Sequence, residues 1–567
     1  GVDELFGLDG ATIKFSFEYG ITDKLTLGLG RNSFEKVYDG FVKYNFLKQS
    51  DTSPFEITWF SSMAVRTQDR ADYTVNDFQS KLSYVHQLLI SRKMGERVSI
   101  QLMPSYVHRN RVRYDQENDY LSLGFGTRVK LDDRWSIIGE YYLGLTQEET
   151  DDYYNSLGIG VEIETVFYDN KFERLPVNPG NRFSAQDLMQ YLIHLQKNKK
   201  NPCIYSLEPG GQLEWASSPF VSLHEISSQW NSHVIQLEKL CDDNNILPID
   251  FALDPVYLPG EVDLIDMKKY HLMNDRFNSS GSHGPWMMRS SASVQVNIDM
   301  VCKSDGENMA FIADCLQPFC SFLFSNVPFI REECVKNKNY RLHVWNNTDL
   351  SRCGHLFDHG INQNQNLIES FIDYMLGVPA LFIINKESTI TEYKGALGKW
   401  LHFLNEKNCL TSEHVHFALH QIFTHVRFKH VLEVRGADRP PFGYELAPAA
   451  FWCGLLTAEG VQKQLLKMVS GWSKNDRLLL NRAAEILDLS HVGPEGVSCE
   501  EWLKIISSLA LQGLDERAEL FNIPSERKFL EPFLNETLER PWTIRIQNSF
   551  KESGDNLIHY LQKKFLR

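Results

Sequence analysis

The sequence lacks several features that define large classes of protein. No apolar run reaches the ~18 residues that a membrane-crossing helix needs, so no transmembrane helix is expected. The ten cysteines form no Cys-x-x-Cys pair, which favours reduced and mostly buried thiols in a cytosolic protein. No Walker A loop with its lysine is present, so a P-loop nucleotide site is not expected.

Positively charged residues are also fewer than negatively charged ones. Lysine and arginine number 58 against 73 aspartate and glutamate residues, which gives a formal net charge of -15. This balance argues against nucleic acid or an anionic membrane surface as the main partner. The remaining composition is ordinary for a globular protein, with 43% hydrophobic and 23% charged residues. A length of 567 residues allows two or more domains.

The first part of the chain carries short runs in which apolar residues fall at every second position. Because successive side chains of a strand point to opposite faces, this period predicts β-strands with one apolar face. Turn-forming clusters such as Thr-Asp-Lys separate the runs, and the spacing predicts an antiparallel meander or barrel. The predicted strands are residues 12–19, 25–30, 41–46, 55–65, 81–86, 98–108, 120–129, 135–144 and 157–164.

No catalytic constellation emerges in this first part. Its two most conspicuous histidines, His86 and His108, lie on different runs and have no metal-ligand spacing. We interpret them as strand residues with satisfied hydrogen bonds. Residues 1–159 are therefore predicted to form a separate, non-catalytic β module.

Near residue 160 the hydrophobic periodicity of the sequence changes from that of strands to a mixture of helical and strand periodicity. Helices are predicted at 184–198 and 222–240, and the stretch 454–511 is largely helical. Strands are predicted at 246–253, 294–299 and 429–434. This mixture predicts an α+β fold for residues 160–567.

Four later segments of strand character carry carboxylates or amides at alternate positions. In Gly-Val-Glu-Ile-Glu, Glu162 and Glu164 point the same way, and two such acids repel unless cations lie between them. In Ser-Val-Gln-Val-Asn-Ile-Asp, Gln295 and Asn297 share one face and the aliphatic residues share the other. The segments are residues 160–164, 206–214, 292–299 and 432–438.

The other two segments add acids, glycines and an arginine. Glu208 and Glu214 flank a Pro-Gly-Gly turn that lets backbone approach a ligand, and Glu433 shares a strand face with Arg435. Oxygen ligands of this kind suit magnesium or manganese, which usually bridge nucleotide phosphates. An arginine beside them can stabilise charge on a transferring phosphoryl group. Each strand alone also fits an amphipathic strand with a solvated face, but four in one domain favour the metal site.

In these segments the chain resembles the plant-type and bacterial glutamate–cysteine ligases, members of the larger glutamine-synthetase-like group of carboxylate–amine ligases. The resemblance continues through His-Val-Trp-Asn-Asn-Thr-Asp-Leu-Ser-Arg at 343–352, Phe-Thr-His-Val-Arg at 423–427 and the Ala-Pro-rich helix at 447–456. Each motif is weak alone, but their collinear order from about residue 160 to 480 is specific.

The resemblance implies a curved antiparallel sheet with helices packed on its outer side. It also implies an ATP- and Mg²⁺-dependent enzyme that joins the γ-carboxylate of L-glutamate to the amine of L-cysteine through γ-glutamyl phosphate. This reaction is the first step of glutathione biosynthesis, and a cytoplasmic location is expected for the ligase part.

The same resemblance implies roles for individual residues. Arg435 would steady the γ-phosphoryl group, and Arg352 would hold glutamate or phosphate. The substrate pocket would include Asn297 and Trp345 and, with a looser alignment, Arg289. The implied magnesium ligands are Glu162, Glu164, Glu208, Glu214 and Glu433, with Gln295 as a candidate sixth.

The chain departs from the family before residue 160, where family members carry additional ligase sequence. The β module there resembles outer-membrane-type β-barrels of Bacteroidetes. A barrel of that kind and a cytosolic enzyme need different compartments. Our hypothesis is a chimeric reading frame joined at the shared word Gly-Val-Glu-Ile-Glu-Thr, and a genuine fusion is the alternative.

Two other functions stay open on the sequence alone. The first is a related carboxylate–amine ligase that uses another amine. The second is a β-barrel surface protein whose ligase-like part, residues 160–567, is inactive. The intact carboxylate set favours an enzyme over this second alternative.

Overall fold

The structure is a computed structural model that divides the chain into two compact units, Gly1–Tyr154 and Asn155–Arg567. The units are described separately. The described residues are 14–32, 36–67, 78–95, 97–110, 118–130, 135–144, 157–197, 199, 201–331, 333–336, 338–384 and 389–566.

In its described residues the first unit is an antiparallel sheet of eight strands in which each strand pairs with the next along the chain. The meander predicted from the alternating runs is confirmed, and the ninth predicted run belongs to the second unit. Residues 12–13 of the first predicted run lie outside the described residues. The strands are β1 (Lys14–Gly20), β2 (Leu25–Asn32), β3 (Val37–Leu47), β4 (Glu56–Arg66), β5 (Leu82–Met94), β6 (Val98–Arg109), β7 (Asp119–Lys130) and β8 (Ser136–Gly144).

Apolar side chains on this sheet are largely exposed. On β1 the exposed fractions of Phe15, Phe17 and Tyr19 are 65%, 78% and 73%. Among the described apolar residues of the unit, Phe41 and Met103 are the buried ones. The alternation therefore builds strands with an apolar face that has little protein packed on it.

The second unit contains a mixed α+β fold around an antiparallel sheet of seven strands, as the sequence predicted. The strands are β9 (Ile159–Asp169), β10 (Ile204–Leu207), β11 (Leu213–Ala216), β12 (Ile246–Ile249), β13 (Ser293–Ile298), β20 (Val426–Phe428) and β21 (Leu432–Asp438). Their order in the sheet is β10-β11-β9-β13-β21-β20, and β12 extends the pairing along β9.

Short strand pairs complete the β-structure of this unit. The short strands are β14 (Phe329–Ile330), β15 (Glu333–Cys334), β16 (Cys353–Gly354), β17 (Ile383–Ile384), β18 (Ile390–Thr391) and β19 (Phe423–Thr424). The pair β16–β19 is parallel, and the pairs β14–β15 and β17–β18 are antiparallel.

Helices pack against the sheet: the 22-residue helix Lys303–Phe324 contacts β21, and the helix Ala447–Leu456 contacts β13. The predicted first helix begins at a capping box in which the Ser184 and Asp187 side chains bond each other's backbone N–H groups. No helix in the described part of the chain combines the length and apolar character needed to cross a bilayer. The helices are α1 (Ala185–Gln196), α2 (Leu223–Asn244), α3 (Lys268–Ser280), α4 (Gly284–Ser290), α5 (Lys303–Phe324), α6 (Tyr340–Asn346), α7 (Leu367–Gly377), α8 (Leu397–Glu406), α9 (Ser412–Leu419), α10 (Ala447–Leu456), α11 (Glu459–Val469), α12 (Lys474–Ile486), α13 (Cys499–Leu520), α14 (Glu531–Thr537), α15 (Trp542–Ser553) and α16 (Leu557–Phe565).

One predicted strand is wrong in a way that affects the site. Residues 429–434 were expected to form one strand, but β20 ends at Phe428 and β21 begins at Leu432. The Lys429 N–H donates to the Val431 carbonyl oxygen at 2.9 Å and closes a tight turn between them. Lys429 is therefore a turn residue.

Candidate functional site

Cross-strand register lines up the polar residues of the central strands. Glu214 of β11 lies opposite Glu164 of β9, and Gln295 of β13 lies opposite Glu162. Because paired residues point to the same face, these four side chains form one polar row across the sheet. The apolar residues between them face the opposite side and are buried.

The row continues onto β21. Glu433 lies opposite Asn297 of β13, and the Asn297 amide donates to a Glu162 carboxylate oxygen at 2.9 Å. The sheet therefore brings together the polar positions predicted on all four segments.

Three carboxylates meet at one end of the row. Carboxylate oxygen atoms of Glu164, Glu208 and Glu214 all lie within 4.8 Å of one another. Glu164 is buried and the other two are half-buried. We call these three residues the carboxylate cluster.

Burial and mutual repulsion raise the pKa values of all three carboxyl groups in the carboxylate cluster. Burial, followed by the negative charge of Glu214, raises the pKa of Glu164 to about 7. Burial, followed by the charge of Glu164, raises the pKa of Glu208 to about 7. The pKa of Glu214 is also raised well above its ordinary value by burial and by the charge of Glu162. A cation among the three would relieve this repulsion.

Hydrogen bonds fix the cluster but leave oxygen atoms available. Glu164 accepts from the Ser293 N–H at 2.7 Å and from the Gln295 amide at 3.1 Å, and Glu214 accepts from the Ser206 hydroxyl at 2.5 Å. The buried Oε1 of Gln295 has no hydrogen-bond partner among the described residues. Carboxylate and amide oxygens of this kind fit a hard divalent cation such as Mg²⁺ or Mn²⁺.

The turn between β10 and β11 places Glu208 in the cluster. The Glu208 N–H donates to the Gln212 carbonyl oxygen at 2.9 Å, and the Gly210 N–H donates to the Met288 carbonyl oxygen at 3.1 Å. Gly211 adopts a φ of 79°, in the left-handed region that favours glycine. The turn therefore lies directly against the end of α4.

Gly210→Ala should displace this turn. An added Cβ would lie 2.5 Å from both the Cα and the carbonyl oxygen of Arg289, and backbone cannot move aside cheaply. We expect the free energy of unfolding to fall by roughly 1–3 kcal/mol. The loss in the free energy of Mn²⁺ binding should be larger than this. Chemical denaturation and Mn²⁺ titration followed by electron paramagnetic resonance measure the two effects.

Gly260→Ala is the matched control, because an added Cβ there meets nothing within 4 Å. Equal Mn²⁺ affinity in the parent and the Gly210→Ala protein would show that the turn does not position a metal ligand.

Glu433 has surroundings unlike those of the carboxylate cluster. Its side chain is fully buried, and Arg427 donates to both of its oxygen atoms at 2.8 and 3.2 Å. The Lys429 ammonium contacts the same carboxylate, and Arg435 Nη1 lies 3.6 Å from Oε1. Burial opposes ionisation here, but the three cations outweigh it and hold the pKa of Glu433 well below its ordinary value.

Arg435 and Trp345 lie together beside Glu433. The Arg435 guanidinium carbon is 5.2 Å from the centre of the Trp345 ring and 5.4 Å from that of Phe423. Arg435 also lowers the pKa of Glu208 against the raising effect of burial, so its charge reaches the carboxylate cluster. Arg435, the predicted phosphoryl-binding arginine, therefore lies beside Glu433 and acts electrostatically on the carboxylate cluster.

The other two predicted arginines are already engaged by protein groups. The fully buried Arg352 donates to Asp349 at 2.9 Å and to two backbone carbonyl oxygens. Arg289 donates to Asn274 at 2.9 Å and to two backbone carbonyl oxygens. Their substrate-binding roles stay predictions. The observed hydrogen bonds indicate that both residues stabilise the local fold.

Sequence reasoning missed several cations at the site. Arg427 stands in the quoted Phe-Thr-His-Val-Arg motif, and it lies directly opposite Glu433 on the neighbouring strand. Lys429 follows two residues later. Lys269 is a third, and it lowers the pKa of Glu208 against the effect of burial. Strand alternation across a β20–β21 hairpin is the signal that identifies Arg427, whereas Lys429 lies in the turn.

Comparisons with known proteins match the two parts of the chain to different families. Residues 158–498 match the family model described as glutamate–cysteine ligase family 2. Residues 1–168 match a family model described as a membrane-bound β-barrel domain. The resemblances seen in the sequence are confirmed for both parts, and the two matches overlap on residues 158–168, which include nearly all of β9.

Curated relatives include the chloroplastic glutamate–cysteine ligases of Nicotiana tabacum and Brassica juncea, each 29% identical to this chain. The tobacco match covers 59% of this chain and 64% of the tobacco protein, and the Brassica match covers 63% and 70%. The chain thus spans about 64% of the tobacco protein.

Among solved structures, a bifunctional glutathione synthetase from Pasteurella multocida aligns with a TM-score of 0.38 and 11% identity, covering 72% of this chain and 50% of that one. The family match at residues 158–498 covers more than half of the chain and takes in the whole polar row from Glu162 to Glu433. The chain belongs to the glutamate–cysteine ligase family 2.

Proposed function

We propose that this chain catalyses the ATP-dependent ligation of the L-glutamate γ-carboxylate to the amine of L-cysteine. The observation that carries the proposal is the carboxylate cluster on the polar face of the sheet, next to Arg435. Family membership supports the ligase class. The route through γ-glutamyl phosphate and the use of Mg²⁺ are parts of the same proposal.

Glu164, Glu208 and Glu214 would hold the divalent cation, and the neighbouring Gln295 and Glu162 of the polar row are proposed as further ligands. The cation would supply positive charge to the phosphate oxygens of the nucleotide. The protein's own share is to keep three oxygen ligands within 4.8 Å of one another before any cation arrives.

Arg435 would offset negative charge that develops on the transferring phosphoryl group. Its buried Nη1 has no hydrogen-bond acceptor in the described part of the chain, so a donor is free for a ligand. The Trp345 and Phe423 rings beside the guanidinium limit the approach of water, which strengthens its interaction with an anion.

For the first unit we propose a membrane-associated module that takes no part in catalysis. The family match to a membrane-bound β-barrel domain and the exposed aromatic residues of β1 support this. The ligase part is proposed to work in the cytoplasm. A membrane-associated module and a cytoplasmic enzyme belong to one protein only if the fusion is genuine.

The reaction has a direct test. Purified protein should release ADP from ATP only when glutamate and an amine acceptor are both present, and cysteine should be the best acceptor. A coupled ADP assay that compares cysteine with alanine and 2-aminobutyrate measures this preference.

Each alternative gives a different outcome in that assay. Equal rates with all three amines would remove the cysteine assignment and keep a related carboxylate–amine ligase. No glutamate-dependent ADP release, from protein that is folded by circular dichroism, would favour an inactive ligase-like part and contradict the proposal.

A further inference from the structure

The turn that carries Glu208 is held at Gly210 from two sides. The Gly210 N–H donates to the carbonyl oxygen of Met288 in α4 at 3.1 Å. The Gly210 carbonyl oxygen accepts a hydrogen bond from Nη2 of Arg174 at 3.1 Å. Both backbone polar groups of this glycine are therefore bonded to parts of the chain outside the turn. Because Glu208 lies two residues before Gly210 in the same tight turn, the contacts that fix Gly210 also fix Glu208.

Arg174 reaches this turn from the segment that follows β9. Its backbone forms an antiparallel bridge with Tyr168, and its side chain is 7% exposed. Nη1 donates to the carbonyl oxygen of Phe167 at 3.4 Å, and Nε lies 3.3 Å from Oδ2 of Asp254. The three nitrogen atoms of the guanidinium thus face three different partners, of which the Gly210 carbonyl oxygen is one.

Asp254 determines where this guanidinium lies. The aspartate is fully buried, and its Oδ1 accepts hydrogen bonds from the N–H groups of Val256 at 3.0 Å and Tyr257 at 2.8 Å. The hydroxyl of Tyr168 donates to the same oxygen. A carboxylate with several fixed donors keeps its position, so its other oxygen offers Arg174 a fixed anionic partner.

The contacts return to the end of α4 and form a closed ring. The Asp254 N–H donates to the carbonyl oxygen of Ser290 at 3.0 Å, and Met288 of the same helix accepts from Gly210. Arg174 links Asp254 to Gly210 and contributes the charged donor of this ring. Gly210 is buried, so its carbonyl oxygen would lose a partner that water does not readily replace.

We propose that Arg174 is a positioning residue for the divalent cation, because it holds the Gly210 carbonyl group and thereby keeps the Glu208 carboxylate in the carboxylate cluster. Asp254 orients Arg174 for this task. The inference rests on the proposed role of the cluster in cation binding. Arg174 acts through the turn, so its loss should change how well the cation is bound more than how fast the bound complex reacts.

The test is Arg174→Lys in the full chain, with Mn²⁺ as the probe and electron paramagnetic resonance as the measurement. Lysine keeps a positive charge beside Asp254, but one ammonium cannot reproduce the three directions of the guanidinium. The Kd for Mn²⁺ should rise about tenfold, because a charge-assisted hydrogen bond to the turn is lost. The matched control is Arg182→Lys, since Arg182 is 51% exposed and pairs with Asp169 and Glu173; it should leave the Kd unchanged.

Steady-state kinetics separate positioning from a purely structural role. Arg174→Lys should raise the apparent KM for Mg²⁺ about tenfold and leave kcat at saturating Mg²⁺ within about threefold of the parent. A purely structural role would lower kcat through a smaller folded fraction and leave this KM unchanged. If Arg174→Lys is not folded by circular dichroism, Asp254→Asn takes its place. It keeps an oxygen acceptor for the N–H groups of Val256 and Tyr257, removes the charge beside Nε, and should shift both constants in the same direction.

The outcomes distinguish this inference from the proposed function. Parent-like Mn²⁺ affinity in the folded variant, an equal loss in Arg182→Lys, a lower kcat with an unchanged KM for Mg²⁺, or no Mn²⁺ binding by the parent would each overturn the inference. Each of these results can occur while the coupled ADP assay still shows ligation of cysteine. A selective loss of Mn²⁺ affinity in Arg174→Lys supports the inference even if that assay shows no preference for cysteine.

Discussion

Glu208→Gln should lower the turnover of the ligase at least about 100-fold while leaving the metal-free protein no less stable than the parent. The glutamine loses a charged cation ligand, which costs activity. It also removes one member of a self-repelling cluster, and burial already raises the pKa of Glu208 to about 7. Turnover in the coupled ADP assay and thermal unfolding in EDTA measure the two effects.

The pH dependence of the metal-free protein follows from the same pKa. Because the folded pKa of about 7 exceeds the ordinary value of 4.5, the native state binds more protons between those values than the unfolded state does. The stabilisation from Glu208 is therefore present below about pH 4.5 and is lost as pH rises through about 7. Glu208→Gln should remove this decline, worth about 3 kcal/mol for a shift of that size.

Glu552→Gln is the control, because Glu552 is exposed near the end of α15. It should change neither turnover nor the pH profile. Near-parental turnover of Glu208→Gln at saturating magnesium would contradict a ligand role for Glu208.

Glu433→Gln should have the opposite effect on stability, although sequence reasoning gave Glu433 the same role as Glu208. The substitution removes the charge of the carboxylate that Arg427, Lys429 and Arg435 all approach within 4.0 Å. Breaking a buried ion pair from one side costs roughly 3–5 kcal/mol, and we expect a loss of that size in the free energy of unfolding. Denaturant titration of the metal-free protein measures it.

The pH dependence also reverses sign. The folded pKa of Glu433 lies well below its ordinary value, so its stabilisation is present above about pH 4.5 and is lost as pH falls through the folded pKa. The double variant Arg427→Met/Glu433→Gln should recover part of the loss, since it removes one unpaired cation. Equal stability of Glu433→Gln and Glu208→Gln would refute this account of Glu433.

The sequence was sufficient for the polar face of the sheet. Strand alternation assigns Glu162 and Glu164 to one face without knowledge of their neighbours, because the side-chain period of a strand is fixed. The same reasoning placed Gln295 and Asn297 together. Backbone geometry alone determines the face of a strand to which each side chain points, so these assignments agree with the structure.

The charge environment of each glutamate could not be read in this way. Glu208 and Glu433 are both acids on strand-like segments, yet one joins two carboxylates and the other joins three cations. The difference depends on the turn at Lys429. The sequence pattern of residues 429–434 is that of one continuous strand, so it did not reveal this turn. A one-dimensional pattern records alternation but not the hairpin that brings Arg427 opposite Glu433.

Motif matching had a different limit. It located Arg352, but its Nη1 donates to the carbonyl oxygen of Gln421, 69 residues away in sequence. Hydrogen-bond partners so distant along the chain are set by tertiary packing. A motif therefore gives an arginine's position without giving what its guanidinium binds.

The central place of β9 also sets the order in which the site comes into existence on the ribosome. This strand is synthesised before each of the strands that pair with it in the sheet. Glu162 can accept its hydrogen bond from Asn297 only after a further 135 residues have been synthesised. Contacts of such high sequence separation carry a loop-closure cost before they give any stabilisation. During translation β9 can pair with β11 before β13 and β21 have been made, so the three residues of the carboxylate cluster can meet before the polar row is complete.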